Sequence, residues 1–295
     1  MDRREALNCI AAQTAAGEIA FPTHAEVALR VQRALDDPDC HIEAAARLVQ
    51  SEPLLAARAV ALANSVAFNR SGRPISEVRV AVQRLGFRML RALAMAVVTR
   101  QMAGVSPNPR HRQLADQLWE HTAHVAALAH VLARHVTHQD PETAVFAGVV
   151  HEVGAFYLLS RVKDFPCLLD AGDTCLTRTI EDGGDEEACD EALTLEGGGR
   201  IGAAVLKVLA VPANIVAAIE AQWSGYLALP PATLGDTLLL ADLLAPVPSP
   251  LRQMAFDEDA GRHADIDMLI DAGTLSGILR ESAQEVDSMI TALRF

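Results

Sequence analysis

Residues 146–159 have the sequence FAGVVHEVGAFYLL, an apolar helical stretch with a His-Glu pair at its centre. Around a helix axis, Val149, Glu152 and Phe156 lie on one stripe, and the neighbouring stripe is also apolar. A helix that is apolar on nearly all sides is buried, and a charged side chain is almost never fully buried without a partner. We therefore expect Glu152 to face the interior of a helical protein and to have a polar partner there, with His151 beside it.

The composition around this stretch favours an all-α fold. Apolar residues make up 51% of the 295 residues and aromatic residues only 4%, and the abundance of Ala and Leu favours helix over sheet. Helical periodicity recurs along the chain, and no strand-like alternation persists. The segment GVSPNPR at residues 104–110 is the strongest internal boundary, because it contains two prolines and a glycine. We predict an N-terminal helical lobe over residues 1–105 and a second helical lobe over residues 106–295.

Proline, glycine and capping residues predict the ends of individual helices. Asp140-Pro141 begins the helix that contains the quoted stretch, and Gly86 interrupts a helical region. The acidic, glycine-rich segment 181–199 is predicted to be a mobile loop or a short helix. From residue 42 onward, the predicted helices cover approximately residues 42–50, 53–64, 76–85, 87–102, 111–138, 140–159, 201–209, 213–223, 234–244, 266–272 and 275–293.

The cellular setting can also be predicted from the sequence. No apolar run reaches the length of about 18 residues that spans a bilayer, and the N-terminus lacks the hydrophobic core of a signal peptide. The five cysteines are scattered, odd in number and without a CxxC pair. This pattern is typical of reduced thiols rather than of a disulfide framework or a zinc site. We expect a cytoplasmic protein that does not contact a membrane.

Two more polar residues lie within apolar helices. His121 occupies a position on the apolar seam of the long helix over residues 111–138, and Asp242 lies among the leucines of LLLADLLA. Imidazole and carboxylate groups together suit a divalent cation such as iron, manganese or zinc. The alternative is that the four polar groups hydrogen-bond one another as a buried network. In both interpretations the residues concerned are His121, His151, Glu152 and Asp242.

The order of these four residues resembles the signature of the HD superfamily of metal-dependent phosphohydrolases, which is His … His-Asp … Asp. Glu152 stands where that superfamily has aspartate. The N-terminal half is similar to the opening of HDOD domains, the HD-related output domains of bacterial signalling, and the resemblance covers roughly residues 15–225. The pieces that carry it are Pro22, Glu52-Pro53, Leu62-Ala63-Asn64-Ser65, Pro74-Ile75-Ser76, Leu85-Gly86 and Leu118-Trp119-Glu120-His121.

This resemblance implies a site that has lost part of its chemistry. Glutamate is one methylene longer than the aspartate of HD phosphohydrolases, so we expect Glu152 to displace a bound metal. Two-metal relatives carry further histidines, which are missing from the matching segments 195–202 and 221–223. HDOD domains are generally regarded as non-catalytic. We therefore expect no enzymatic activity and no cofactor beyond a weakly held divalent metal at the four polar residues.

The function implied by the resemblance is a bacterial signalling output or adaptor module that acts through contacts with signalling proteins. The alternative is a one-metal phosphohydrolase that acts on a nucleotide or another phosphoester. In that case His121, His151, Glu152 and Asp242 would be the metal ligands, and a metal-activated water would be the nucleophile. The sequence leaves open whether the protein forms a homo-oligomer.

A basic segment offers a surface to which a partner could bind. From Arg58 to Arg100 the chain has eight arginines and one acid, Glu77, although the whole chain carries a net charge of −13. Arginine binds carboxylate or phosphate in a bidentate manner. The alternative is that these arginines pair internally with the acidic remainder. The candidate partner-binding residues are Arg70, Arg73, Arg84, Arg88 and Arg91.

The helix–glycine–helix arrangement over residues 80–94 has the approximate spacing of a helix-turn-helix. A recognition helix usually presents Asn, Gln, Ser or Thr to base edges in addition to Arg. The second helix here is mostly Leu, Ala, Val and Met, which are residues of a core. We therefore do not expect sequence-specific DNA binding.

Overall fold

The structure is a computed structural model that describes residues 3–19, 25–104, 106–168, 191–225, 227–228, 230–250 and 272–294. Within these ranges the chain is helical and contains no strand, so the predicted all-α fold is confirmed. A short 3-10 turn, Pro166–Leu168, follows α8. The α-helices are α1 (Arg3–Ala15), α2 (Ala25–Leu35), α3 (Ile42–Gln50), α4 (Pro53–Ala63), α5 (Val78–Met102), α6 (Pro109–His135), α7 (Pro141–Val150), α8 (Val153–Arg161), α9 (Glu191–Val208), α10 (Ala213–Trp223), α11 (Leu234–Leu243), α12 (Ala272–Glu281) and α13 (Ala283–Leu293).

Prolines and capping side chains mark the starts of α4 and α7. Pro53 occupies the first turn of α4, and a carboxylate oxygen of Glu52 accepts a hydrogen bond from the backbone N–H of Leu55 at 2.6 Å. Asp140 caps α7 in the same way through the N–H of Thr143. Such caps pair backbone donors that have no partner inside the helix.

Gly86 bends α5, as the sequence predicts. Its φ of 73° and ψ of 170° lie in a region that is open almost only to glycine. The bend divides α5 into two helical segments that follow different directions. The first of them begins at Val78, two residues after the predicted start at Ser76.

The prediction of one continuous helix through residues 146–159 is wrong. α7 ends at Val150 and α8 begins at Val153, and Glu152 between them has a non-helical φ of −109° and ψ of 22°. Neighbouring side chains on an unbroken helix point about 100° apart. The break allows His151 and Glu152 to direct their side chains into the same cluster.

Two other regions differ from the prediction or lie outside the described residues. α9 begins at Glu191, about ten residues before the predicted start, so residues 191–199 are helical. Residues 181–190 of the acidic segment, and nearly all of the helix predicted over residues 266–272, lie outside the described residues. The helix predicted over residues 275–293 is interrupted at Ser282, between α12 and α13.

One hydrophobic core runs through both predicted lobes. α5 packs against α2, α3 and α4 and also against α7 and α8, while α6 packs against α7 and α11. The ends of the chain cross the predicted boundary, since α1 packs against α9 and α13 packs against α4 and α6. Apolar packing is continuous across residue 105. The division into two lobes at this residue stays a prediction.

The stretch Pro141–Arg161, which comprises α7 and α8, is apolar and long enough to cross a bilayer. Most of its apolar window, 72%, is buried inside the fold. A buried core segment accounts for this hydropathy, because a helix surrounded by protein is apolar on all sides.

Candidate functional site

Four helices bring the predicted polar residues together. His121 lies in the middle of α6, His151 and Glu152 lie at the junction of α7 and α8, and Asp242 lies near the end of α11. α6 and α7 approach each other closely at Gly148, where an added Cβ would lie 2.7 Å from the Cα of Ala126. This close approach places the end of α7 beside His121.

The side chains converge around the Nε2 atom of His121. This nitrogen lies 3.3 Å from Oδ1 of Asp242, 3.4 Å from Nε2 of His151 and 3.7 Å from Oε2 of Glu152. The polar cluster, defined as His121, His151, Glu152 and Asp242, is therefore one site built from residues far apart in sequence. The carboxylate of Glu152 lies within the cluster despite its extra methylene, and Glu152 itself has non-helical backbone angles.

Backbone carbonyls fix the orientation of both imidazole rings. Nδ1 of His121 lies 2.7 Å from the carbonyl oxygen of Val247, and Nδ1 of His151 lies 2.7 Å from that of Gly148. A carbonyl oxygen only accepts hydrogen bonds, so each Nδ1 carries the proton and donates. Both Nε2 atoms consequently point into the cluster, which is the arrangement of metal-binding histidines.

The cluster is nearly sealed from solvent. The side chains of His121 and Asp242 are 1% and 4% exposed, and that of Glu152 is 15% exposed. Oε2 of Glu152 is buried and has no hydrogen-bond partner among the described residues. A buried, unpaired carboxylate oxygen is costly, so the cluster requires a positive charge beside it.

A proton on His121 can supply that charge. Burial alone would lower the pKa of His121, but the carboxylates of Glu152 and Asp242 raise it to about 8. Burial lowers the pKa of His151, and the positive charge on His121 lowers it further. In the absence of a metal ion, His121 is therefore the protonated member of the pair and His151 is neutral at pH 7.

A divalent cation also fits the cluster. One donor atom from each of His121, His151 and Glu152 lies within 4.8 Å of the others. Ligands about 2.0–2.2 Å from a tetrahedral metal are separated by about 3.3–3.6 Å. The distances of 3.3, 3.4 and 3.7 Å around Nε2 of His121 are close to that range. His121, His151 and Glu152 could therefore hold one cation, with Oδ1 of Asp242 close to Nε2 of His121.

Gln222 is a polar neighbour of the cluster that was not predicted as a site residue. Its Nε2 donates a hydrogen bond to Oδ2 of Asp242 at 3.0 Å, and the residue is only 3% exposed. From the sequence, residues 221–223 were notable only for their lack of histidine. The available signal was a long amide on the same face of α10 as buried Ala218 and Ile219.

The five candidate partner-binding arginines fall into two groups. Arg84 donates to the carbonyl oxygen of Ala63 at 2.9 Å, so its guanidinium is used within the fold. Two others form intramolecular ion pairs: Arg88 with Asp140 at 2.9 Å and Arg91 with Asp36 at 2.8 Å. Arg70 and Arg73, in contrast, are exposed in the loop between α4 and α5. Partner binding by any of the five stays a prediction.

Comparison with known families and structures reveals a consistent relationship. The family model described as the HDOD domain matches residues 21–224 of the chain. No curated protein matches the chain. Among solved structures, a candidate metal-dependent phosphohydrolase from Shewanella amazonensis SB2B is 21% identical, with a TM-score of 0.72 and coverage of 98% of each chain.

Two other solved structures share the fold. An HDOD domain protein of unknown function from Geobacter sulfurreducens is 22% identical, with a TM-score of 0.58 and coverage of 99% of each chain. A candidate signal transduction protein from Marinobacter aquaeolei VT8 is 20% identical, with a TM-score of 0.56, and the match covers 92% of this chain and 60% of that one. At identities of 20–22%, these matches establish similarity of fold alone.

Proposed function

The chain belongs to the HDOD domain family, and from that premise we propose that it is a signal-transduction output module of the bacterial cytoplasm. In this role it acts on a partner protein through surface contacts and hydrolyses no substrate. The observation that carries the proposal is the burial of the polar cluster, whose His121 and Asp242 side chains are 1% and 4% exposed. A phosphoester must reach such residues to react, and the packed helices around them leave little access.

An activity assay tests the absence of catalysis. Purified protein is incubated with p-nitrophenyl phosphate and bis(p-nitrophenyl) phosphate in Mn²⁺, Fe²⁺, Zn²⁺ or Mg²⁺. We expect wild-type protein and His121→Ala to release p-nitrophenol at the same background rate. Hydrolysis by wild-type protein that disappears in His121→Ala would contradict the proposal, because contamination is common to both preparations.

The second candidate function is a one-metal phosphohydrolase. It is favoured by one observation, the convergence of donor atoms from His121, His151 and Glu152 within 4.8 Å of one another, which suits a single cation. A cation held there would act as a Lewis acid toward water and phosphate. The chain's own contribution would be to orient the ligands, since Val247 and Gly148 fix the two imidazole rings. The release of p-nitrophenol by wild-type protein and by His121→Ala decides between the two functions.

The proposed docking surface is the exposed loop that contains Arg70 and Arg73. Exposed arginines bind carboxylate groups of an acidic partner, and salt weakens such contacts. We expect the double variant Arg70→Glu, Arg73→Glu to weaken partner binding and to change the free energy of unfolding by less than about 0.5 kcal/mol. The measurement is a titration of a partner, identified first by affinity capture, at two salt concentrations.

A matched control separates this loop from a general effect of charge. Arg30 and Arg33 are also exposed, but they lie on α2. The double variant Arg30→Glu, Arg33→Glu changes the net charge by the same amount on a different surface. Equal weakening by both double variants would show that net charge, rather than the Arg70–Arg73 loop, controls the affinity.

A further inference from the structure

We propose that the docking loop, defined as residues 64–77 between α4 and α5, binds an acidic protein segment that carries an apolar side chain beside its carboxylates. Val66 is the apolar contact for that side chain. The inference deepens the proposed function and rests on it, because it names the chemistry of the partner. It also adds to Arg70 and Arg73 a specificity-determining residue that was not a candidate in the sequence.

The arginines of the basic segment are not equally available to a partner. Between residues 58 and 100 the chain has eight arginines. Arg70 and Arg73 lie in the docking loop, are exposed, and form no ion pair within the described part of the chain. The other six each contact a group of the fold: Arg58, Arg79, Arg84, Arg88, Arg91 and Arg100. Within this segment, the positive charge that can attract a partner is therefore concentrated in the docking loop.

The docking loop is held by hydrogen bonds at its ends and to α13. The side chain of Asn64 donates to the carbonyl oxygen of Ile75 at 2.8 Å and accepts from the backbone N–H of the same residue at 2.9 Å. The backbone N–H of Val66 donates to Oγ of Ser288 in α13 at 3.1 Å. A loop that is already ordered loses little conformational freedom when a partner binds, so a few side chains can give useful affinity.

Val66 exposes an apolar side chain in the same loop. It is 53% exposed, more than any other large apolar side chain among the described residues. Arg70 follows it by four positions and Arg73 by seven, and seven residues of extended chain span at most about 25 Å. The backbone N–H of Asn69 donates to the carbonyl oxygen of Ser65, and this turn shortens the distance. Val66 and both arginines therefore lie within the length of one short partner segment.

These features favour an acidic protein segment over a nucleic acid. The whole chain carries a net charge of −13, which repels a long polyanion. Nucleic-acid-binding proteins usually present a broad basic patch or stripe, whereas the free charge of this segment is limited to Arg70 and Arg73. The carboxylates of an acidic segment can form bidentate hydrogen bonds with these arginines, while its apolar side chain removes Val66 from water.

Peptide selection tests the chemistry of the partner before the partner is identified. A random peptide library displayed on phage is selected on immobilised wild-type protein and on the double variant Arg70→Glu, Arg73→Glu. We expect wild-type protein to enrich peptides with acidic residues next to an apolar one, and the double variant to lose this enrichment. The control variant Arg30→Glu, Arg33→Glu has the same net charge and should enrich the same peptides as wild-type protein.

Fluorescence polarisation with the enriched peptide tests the role of Val66. Val66→Ser should weaken peptide binding by about 3–10-fold, because the exposed part of the valine no longer gains from burial, and should keep the weakening by salt. Val66→Ile keeps the apolar contact and should retain wild-type affinity. Val208 in α9 is 39% exposed and provides the matched control, so Val208→Ser should leave the affinity unchanged.

Three outcomes would overturn the inference. Wild-type protein that enriches no peptide, or enriches peptides without acidic and apolar residues together, would refute the partner chemistry. Displacement of the labelled peptide by single-stranded DNA would refute the choice of a protein partner. Wild-type affinity in Val66→Ser, with weakened binding in Arg70→Glu, Arg73→Glu, would refute the role of Val66 and leave the docking surface in place. Failure of the proposed function is seen separately, as phosphoester hydrolysis that disappears in His121→Ala.

Discussion

His121 uses its two ring nitrogens for different purposes. Nδ1 donates to the carbonyl oxygen of Val247, while Nε2 faces the carboxylates of Glu152 and Asp242 and the imidazole of His151. The pKa of His121 is raised to about 8, because the two carboxylates outweigh the effect of burial. The protonation of one buried imidazole is therefore linked to the stability of the whole metal-free protein.

The sign of this linkage predicts the pH dependence of metal-free protein. A histidine whose folded pKa lies above its ordinary value of about 6.5 stabilises the fold fully below that value. This stabilisation, about 2 kcal/mol, is lost as the pH rises through about 8. The pKa of His151 is lowered, so its contribution falls as the pH drops below its ordinary value. Chemical unfolding with a chelator should thus show the largest contribution of this pair near pH 6.5.

Two alanine variants test the origin of that pH dependence. His121→Ala should lower the free energy of unfolding by about 2–4 kcal/mol at pH 7 and should remove the loss above pH 6.5. His124 lies one turn further along α6, half-buried and hydrogen-bonded to the carbonyl oxygen of Glu120. His124→Ala should retain the pH dependence, and its disappearance in both variants would refute the assignment to His121.

At the scale of helices, the close approach of α6 and α7 controls the geometry of the cluster. Gly148 permits this approach, and its carbonyl oxygen also accepts the hydrogen bond from Nδ1 of His151. A methyl group at Gly148 would meet the backbone of Ala126 at 2.7 Å, and backbone atoms cannot move aside as a flexible side chain can. The separation of the two helices and the position of His151 are therefore coupled.

Gly148→Ala should lower the free energy of unfolding by about 1–3 kcal/mol, because overpacking forces α7 away from α6. Gly277 in α12 provides the matched control, since a methyl group added there would meet no atom within 4 Å. Gly277→Ala should be neutral or should stabilise by up to about 1 kcal/mol, since alanine is the better helix former. Denaturant titrations measure both, and equal effects would contradict the close-approach explanation.

The same scale shows what could be predicted from the sequence. α4 begins where predicted, and Pro53 and Pro141 mark the first turns of α4 and α7, because local capping chemistry fixes these helix ends. The break at Glu152 could not be predicted. Its neighbours are apolar residues of good helical pattern, and the contact of Glu152 with His121 joins residues 31 positions apart.

For the site, too, the sequence could identify residues by their local surroundings but not by contacts with residues far away in the chain. The sequence identified the four polar residues by their unusual apolar surroundings, and the structure brings them together. Gln222 was missed because a glutamine in a helix is common, and only its contact with Asp242 distinguishes it. The ion pairs of Arg88 and Arg91 were equally inaccessible, since Asp140 and Asp36 are 52 and 55 residues away in sequence.

At the scale of the molecule, α13 contacts both predicted lobes, because it packs against α4 and against α6. Its carbonyl oxygen at Leu293 accepts a hydrogen bond from Nε1 of Trp119 in α6 at 3.0 Å. On the other side, Oγ of Ser288 accepts from the backbone N–H of Val66, just after α4, at 3.1 Å. The apolar face of α13 is buried between these helices, so it contributes to the cores of both lobes.

Deleting residues 283–295 should therefore destabilise the entire protein. The deletion removes four buried apolar residues, and with them the free energy that their burial contributes to folding: Met289, Ile290, Ala292 and Leu293. At about 1.5–3 kcal/mol for each large side chain, the loss is comparable with the total stability of about 5–15 kcal/mol of a typical domain. Thermal unfolding should show a cooperative transition in full-length protein and a broad or absent one in the truncated chain.

A milder variant checks that the effect of truncation arises at this interface. Trp119→Phe keeps most of the packing and removes the hydrogen bond to Leu293. It should lower the free energy of unfolding by about 0.5–1.5 kcal/mol and leave the transition cooperative. A truncated chain that melts like the full-length protein would refute the conclusion that α13 stabilises both lobes.

The packing of α13 against α4 also has a consequence for biosynthesis. α4 ends at Ala63 and α13 begins at Ala283, so 219 residues lie between these contacting helices along the chain. At about 5–20 residues per second, a ribosome needs about 10–45 s to make the intervening polypeptide. Throughout that interval the nascent protein exposes the apolar surface that α13 eventually covers, and transiently exposed surface of this kind is what chaperones bind during synthesis.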